Sequence, residues 1–201
     1  IARADVLLIE ATYGNRRHPA EDVQAQLGDI IRRTVRRGGS VLLPSFAVGR
    51  AQALLLVLQR LKKLGDIPPS LPIFLDSPMA IAATEVTLRH RHLLALSRRE
   101  IDALTDGVRL IETSAQSQRL TRSRYPAVII SASGMATGGR VLHHLRTMAP
   151  DQRHHIVFPG FQVAGTRGAR LVAGEREVKI FGEMVPVRAD ISHLEGFSGH
   201  A

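Results

Sequence analysis

The chain has 201 residues, and its 27 Lys and Arg outnumber 18 Asp and Glu, which gives a formal net charge of +9 at pH 7. A hydrophobic content of 44% with 22% charged residues is typical of a folded domain and excludes a disordered chain. The chain has no Cys, which excludes disulfides, thiolate zinc sites and Cys nucleophiles, so any metal must be held by His and carboxylates.

Localisation and partners follow from the same features. No apolar run reaches the roughly 18 residues of a membrane helix, and no signal-peptide layout is present, so we expect a soluble, cytoplasmic protein without a membrane partner. Only three basic residues are Lys (Lys62, Lys63 and Lys179), and the other 24 are Arg. Arg binds phosphate with two hydrogen bonds, so the charge favours a nucleic-acid partner, with an Arg-favouring genome as the alternative. With eight aromatic residues (six Phe, two Tyr), backbone phosphate contacts are expected rather than base stacking.

Short β-branched, apolar segments alternate with longer segments of helical periodicity, a pattern typical of βαβ units. The predicted strands are 4–10, 40–44, 72–76, 108–111, 127–131 and 155–158. The predicted helices are 20–37, 49–64, 79–96, 114–122 and 139–148. Segments 177–181 and 184–190 flank Gly182-Glu183 and predict an antiparallel hairpin. The sequence therefore predicts an α/β fold, with a mainly parallel, doubly wound sheet, helices on both faces and a C-terminal antiparallel hairpin.

The unusual residues collect where the predicted strands end, which is the edge at which open α/β sheets bind ligands. The segments 131–140 and 160–166 are rich in Gly and small residues, so their backbone N–H groups could approach an anion. Neither fits a phosphate-loop or dinucleotide fingerprint, and each is equally consistent with a tight structural turn. Arg50, at a helix start, either reaches a phosphate or lies on the surface.

Asp76 is predicted to cap the helix that begins near Met79, with contact to a ribose hydroxyl as the alternative. His200 lies in a Ser-Gly-His turn, and pairing with a carboxylate such as Glu10 would suit it to act as a general acid, although spacing alone does not establish that pair. No His-rich zinc motif occurs, so we predict no metal ligands in this chain. Six further histidines in Arg-rich contexts are predicted to be solvated: His90, His92, His143, His144, His154 and His155.

Six motifs occur in the order in which β-CASP proteins carry them. They are Glu10-Ala11-Thr12-Tyr13-Gly14, Pro44-Ser45-Phe46-Ala47-Val48-Gly49-Arg50-Ala51-Gln52, Asp76-Ser77-Pro78-Met79-Ala80, Ser131-Ala132-Ser133-Gly134-Met135, Gly160-Phe161-Gln162 with Gly165-Thr166, and Phe197-Ser198-Gly199-His200. Over essentially its whole length, the chain resembles these metallo-β-lactamase-fold nucleases. It is most similar to their RNA-processing branch, which contains the endonuclease of the messenger-RNA cleavage and polyadenylation machinery.

The resemblance implies that residues 15–174 form a β-CASP domain inserted into a metallo-β-lactamase domain. Residues 1–14 and 175–201, the hairpin included, would then be stubs of that second domain. The chain begins with Ile and ends without a C-terminal signal, so we expect it to be part of a longer protein.

The resemblance also implies site residues. Glu10 and His200 would be catalytic, with the His acting as general acid toward the leaving oxygen. The expected contacts to RNA phosphates are Arg50, Ser133, Gly134, Gly165 and Thr166. Ala11 departs from the family, which usually has Ser there, and this change removes one hydrogen bond.

The activity implied is that of a zinc-dependent ribonuclease, a hydrolase of RNA phosphodiesters. Two zinc ions would be held mostly by ligands outside this chain, so we expect the chain alone to be inactive. RNA is the expected partner, and a homodimer is left open. The alternatives are a non-catalytic RNA-binding module and an α/β domain that binds a nucleotide or a phosphorylated metabolite.

Overall fold

The computed structural model describes residues 3–9, Ala11, Gly14 and 22–197. The helices are α1 (Val23–Arg36), α2 (Arg50–Leu64), α3 (Pro78–Arg89), α4 (Arg98–Ala103), α5 (Ser114–Thr121), α6 (Val141–Met148) and α7 (Arg167–Val172), with a 3-10 turn at Arg91–Leu93. The strands are β1 (Val41–Pro44), β2 (Ile73–Asp76), β3 (Val108–Leu110), β4 (Val128–Ser131), β5 (His155–Phe158), β6 (Glu177–Ile180), β7 (Glu183–Pro186) and β8 (Asp190–His193).

Six strands form one parallel sheet in the order β3-β2-β4-β1-β5-β8. In chain order, β1 is the first strand of this sheet, β2, β3 and β4 lie on one side of it, and β5 and β8 lie on the other side. Such a reversal of strand order opens a crevice beyond the carboxyl ends of the strands, where ligands bind in this class of fold. β1 lies beside that crevice, and all four of its residues are buried.

Helices cover both faces of the sheet, as predicted. Alternate strand residues point to opposite faces, so Leu43 and Leu75 pack against α1, α2 and α3, whereas Leu42 and Phe74 pack against α5, α6 and α7. Each face has its own hydrophobic cluster. The α/β, doubly wound architecture is therefore confirmed.

The predicted C-terminal hairpin is confirmed as well. β6 and β7 pair antiparallel around Phe181 and Gly182, whose φ angles of 50° and 87° both lie in the left-handed region that a type I′ turn requires. Val178 and Ile180 of the hairpin belong to the same buried cluster as Phe158 of β5. The hairpin therefore packs against this sheet, and the division of the chain at residues 14 and 174 stays a prediction.

The predicted strand 4–10 is wrong for the part that the structure describes, because residues 3–9 form no strand. Its apolar run, Val6, Leu7, Leu8 and Ile9, is 69–92% exposed. An apolar segment has strand propensity, but without a neighbouring strand its backbone groups have no ladder to join.

Two further boundaries differ from the predictions. The helix predicted over 79–96 ends at Arg89, because the residues that follow bury no apolar face and Leu93 is 74% exposed. The second hairpin strand ends at Pro186 rather than Asp190, since the backbone then turns so that Arg188 N–H donates to the Ala149 carbonyl. The strand β8 that follows was not predicted. No described helix is long and apolar enough to cross a membrane.

Candidate nucleic-acid interface

Three loops meet at the carboxyl edge of the sheet, and we call them the edge loops: residues 45–50 after β1, 132–140 after β4 and 159–166 after β5. The Gln162 amide nitrogen donates to the Gly134 carbonyl at 3.2 Å and to the Gly160 carbonyl at 3.0 Å. Gly168 N–H donates to the Met135 carbonyl at 3.0 Å, which joins the second loop to the start of α7, the helix that follows the third loop. β1 lies between β4 and β5 in the sheet, so the second and third loops are not neighbours along its edge. They contact each other across the first loop, which follows β1.

Close neighbours, one a backbone atom and the other a side chain, explain two of the glycines. A Cβ on Gly134 would lie 2.9 Å from the backbone nitrogen of Phe46, so no larger residue fits without moving the first loop. A Cβ on Gly160, whose φ is +144°, would overlap the guanidinium of Arg50. The predicted site residue Arg50 therefore lies directly against the third loop, between the two Gly-rich segments.

The other predicted phosphate contacts have structural roles within their own loops. Ser133 Oγ accepts from Thr137 N–H at 3.2 Å within its loop. Thr166 caps α7, because its Oγ1 accepts from Ala169 N–H at 3.2 Å and donates to the Val163 carbonyl at 2.6 Å. Gly165 has a φ of +85°, which favours glycine at that turn. These hydrogen bonds explain the residue types by local structure, and the predicted phosphate contacts stay predictions.

Asp76, at the end of β2, is the centre of a buried polar network. Its carboxylate accepts from Ser117 Oγ at 2.5 Å, from His144 Nε2 at 2.7 Å and from an Arg140 guanidinium nitrogen at 2.9 Å. The Arg140 guanidinium also donates to the Ile111 carbonyl at 2.8 Å and to the Glu112 carbonyl at 2.7 Å. The network fixes the last residue of the Gly-rich loop, Arg140, to β2 and to the loop after β3.

Both predicted roles of Asp76 are wrong. The cap of α3 is Ser77, whose side chain accepts from Ala80 N–H, because Ser77 is the residue with the extended backbone of a cap position. The Asp76 carboxylate is fully buried and has three side-chain partners, which leaves it unavailable to a ribose hydroxyl. Burial alone would raise the pKa of Asp76, but the hydrogen bonds from His144, Ser117 and Arg140 outweigh it and hold that pKa below its ordinary value.

The predicted solvation of the histidines is right for His90, His92 and His143, which are exposed, and wrong for the other three. His144 is fully buried on Asp76, and its spacing from Val141 and Met148 on the apolar face of α6 is the signal that predicts this. His154 and His155 are largely buried, and burial lowers the pKa of both, to about 4 in His155.

A family model described as the Beta-Casp domain matches residues 51–171, more than half of the chain. The chain belongs to the β-CASP domain family. It is 39% identical to Ribonuclease TTHA0252 of Thermus thermophilus, over 98% of this chain and 47% of the relative. It is 33% identical to Transcription termination factor FttA of Pyrococcus horikoshii and 32% identical to the protein of that name from Lokiarchaeum, over 99% of this chain and about a third of each relative.

The β-CASP chain thus spans between a third and a half of the length of these curated relatives. Glu10 and His200, the predicted catalytic residues, lie outside the described residues. Within residues 3–9, Ala11, Gly14 and 22–197, no three His, Cys, Asp or Glu side chains are grouped so that they could hold a metal ion. The described part of this β-CASP chain therefore does not fit a zinc site.

The space between the edge loops of the β-CASP chain is small. A cleft lined by Phe46, Arg50, Gly134 and Gly160 has a volume of about 10 Å³, which is room for about one water molecule. Around it, Phe46 and Phe161 are 46% and 40% exposed. The edge loops therefore present an outer surface rather than a pocket for a small molecule.

Proposed function

We propose that the protein to which this chain belongs is a ribonuclease that hydrolyses RNA phosphodiester bonds, and that this chain supplies its nucleic-acid interface. The observation that carries the proposal is the 39% identity to Ribonuclease TTHA0252 over 98% of the chain. The name of the FttA relatives, a transcription termination factor, also favours a substrate made of RNA.

The interface would be the surface of the edge loops. Arg50 gives the loops a positive charge between two Gly-rich segments, and glycine lets a phosphate approach backbone N–H groups closely. The net charge of +9 supports a polyanionic partner. The contacts proposed here are Arg50, Ser133, Gly134, Gly165 and Thr166.

The proposed proton donor is His200, oriented by Glu10, and the test uses the full-length protein. His200→Ala should slow RNA cleavage about 10²- to 10⁴-fold, the usual contribution of a general acid, and leave RNA affinity within about twofold. His92→Ala, at an exposed histidine, is the matched control and should cleave normally. Unchanged cleavage by the His200 variant would remove the residue from the mechanism.

Zinc dependence is proposed for the full-length protein only, since the described residues form no metal site. We expect chelation to abolish RNA cleavage by the full-length protein and zinc to restore it. We expect the 201-residue chain alone to bind RNA without cleaving it. Metal-dependent RNA hydrolysis by the isolated chain would contradict this division of roles.

The alternative of a nucleotide or metabolite domain has little support, because the cleft at the edge loops has room for about one water molecule. The salt dependence of binding separates the two functions. RNA affinity should fall steeply as salt rises, whereas affinity for a small ligand should change little. A cytoplasmic location and a homodimer remain proposals of the same kind, to be tested by fractionation of cells and by light scattering.

A further inference from the structure

We propose that the groove between α5 and α6 is a second contact for single-stranded RNA, which guides the strand away from the edge loops along the face of the domain. This inference rests on the proposed function, because it takes RNA as the substrate. The α5–α6 groove has a volume of about 320 Å³. It is lined by Gln118, Thr121, Arg122, His143, Arg146 and Thr147.

The lining has the chemistry of a phosphate track. It consists of cationic and hydrogen-bonding side chains, and no carboxylate is among the six lining residues. Arg122 is exposed and forms no ion pair within the part of the chain that the structure describes. Arg146 pairs with Glu183 at 2.6 Å, but both side chains are at least half exposed, so a phosphate could compete for the guanidinium.

The position of the groove connects it to the edge loops. α5 begins at Ser114, shortly after the carboxyl end of β3, and α6 begins at Val141, directly after the Gly-rich loop of β4. Both helices therefore start at the edge where the loops lie. The eight residues of α6 extend about 12 Å from that edge, which gives the groove room for a few nucleotides.

An exposed aromatic ring stands beside the groove. Phe181, in the turn of the hairpin, packs its ring on that of His143 with 4.8 Å between centroids, and it is 50% exposed. A ring of this kind next to cationic side chains is the combination with which proteins bind single-stranded nucleic acid. Base stacking, which the small number of aromatic residues argued against as the main binding mode, is thus available beside the groove.

The backbone of Phe181 supports a role for its side chain. Its φ of +50° is a left-handed conformation, which is uncommon for a bulky residue, whereas Asn followed by Gly is the preferred pair in such a turn. Strained residues are maintained where they serve a function, so a half-exposed Phe in this turn points to a use for the ring.

The test measures binding and cleavage by the full-length protein with two labelled single-stranded RNAs, one of about 6 and one of about 30 nucleotides, chosen around single-strand site sizes of roughly 4 to 16 nucleotides. Phe181→Asn should weaken binding of the long RNA roughly fivefold to tenfold, while the melting temperature stays the same or rises. Arg122→Glu should weaken it about tenfold and reduce the salt slope by about 1. Binding and cleavage of the short RNA should stay within about twofold.

The matched control is Arg36→Glu, which makes the same charge change on α1, on the opposite face of the sheet. The control should bind both RNAs like the wild type. If the groove variants bind the long RNA with wild-type affinity, the proposal that the groove binds RNA is overturned, and the ribonuclease proposal is left intact. If the Phe181 variant loses affinity equally for both RNAs and melts at a lower temperature, Phe181 is a structural residue, and the proposal that the groove binds RNA is also overturned. A wild-type protein that binds neither RNA would overturn both proposals.

Discussion

Replacement of Asp76 by Asn tests the buried network that joins β2, α5 and α6. Asn keeps the shape of the side chain but removes its negative charge. The two partners of that charge have little access to water, since the Arg140 side chain is 19% exposed and the His144 side chain is fully buried. Removing one partner of a buried ion pair lowers the free energy of unfolding by about 3–5 kcal/mol, because the remaining charge is left buried without an opposite charge. Asn still accepts one hydrogen bond from Arg140, so we expect a loss near the lower end, about 3 kcal/mol.

The free energy of unfolding is measured by urea denaturation at neutral pH, with Asp102→Asn as the matched control. Asp102 forms an exposed pair with Arg98 at 3.9 Å, and its replacement should cost less than about 0.5 kcal/mol. A loss below about 1 kcal/mol for Asp76→Asn would refute the assignment of the network as a stabilising centre.

The pH dependence gives a second measurement of the same residue. The folded pKa of Asp76 lies below the ordinary value of 3.8, so the unfolded chain binds its proton first as the solution is acidified. The stability that Asp76 contributes is therefore complete above about pH 4 and is lost as the pH falls through the folded pKa. The difference between the wild type and Asp76→Asn should shrink in that range, and a constant difference would contradict the ionised state.

Two further predictions concern the edge loops and the amino edge of the sheet. Gly134→Val should destabilise the protein by about 1–3 kcal/mol, through overpacking against the Phe46 backbone, and weaken RNA binding; normal RNA affinity would show that the contact of the two loops is dispensable. His155 has a folded pKa of about 4 against 6.5 in the unfolded chain, so stability should fall by about 2 kcal/mol as the pH drops from 6.5 to 4, after allowance for its partial exposure. His155→Gln should flatten that slope, and an unchanged slope would assign it to other groups.

The sheet was predictable where the strands are short apolar runs buried on both faces. Val128–Ser131 and His155–Phe158 were recognised for this reason, within a residue of their observed ends. β8 has the opposite character, since it lies at an edge of the sheet and Ile191 is the one apolar residue among its four. Its pairing with β5 depends on a neighbour that local sequence does not reveal.

The Asp76 network illustrates a second limit. Asp76 and His144 lie 68 positions apart, and nothing in the residue types alone joins them. The burial of His144 was nevertheless readable, because it falls on the apolar face of α6 with Leu145 and Met148. Sequence periodicity could therefore indicate that His144 is inside the protein, but only the fold identifies the carboxylate that satisfies it.

The strand order explains why the edge loops act as one unit. β4 and β5 are separated by β1, so the loops that follow them can meet only across the loop that carries Phe46 and Arg50. Gln162 closes that contact, and its Oε1 is buried without a hydrogen-bond partner among the described residues, packed where a Cβ on Gly168 would lie. Leaving such an atom unpaired is costly. The two hydrogens of the Gln162 amide nitrogen face three carbonyls, and only the Gly134 carbonyl belongs to the second loop, so the hydrogen bond to Gly134 is the one by which Gln162 joins the two loops. A change in any one of the three loops should therefore alter the surface that all three present to a nucleic acid.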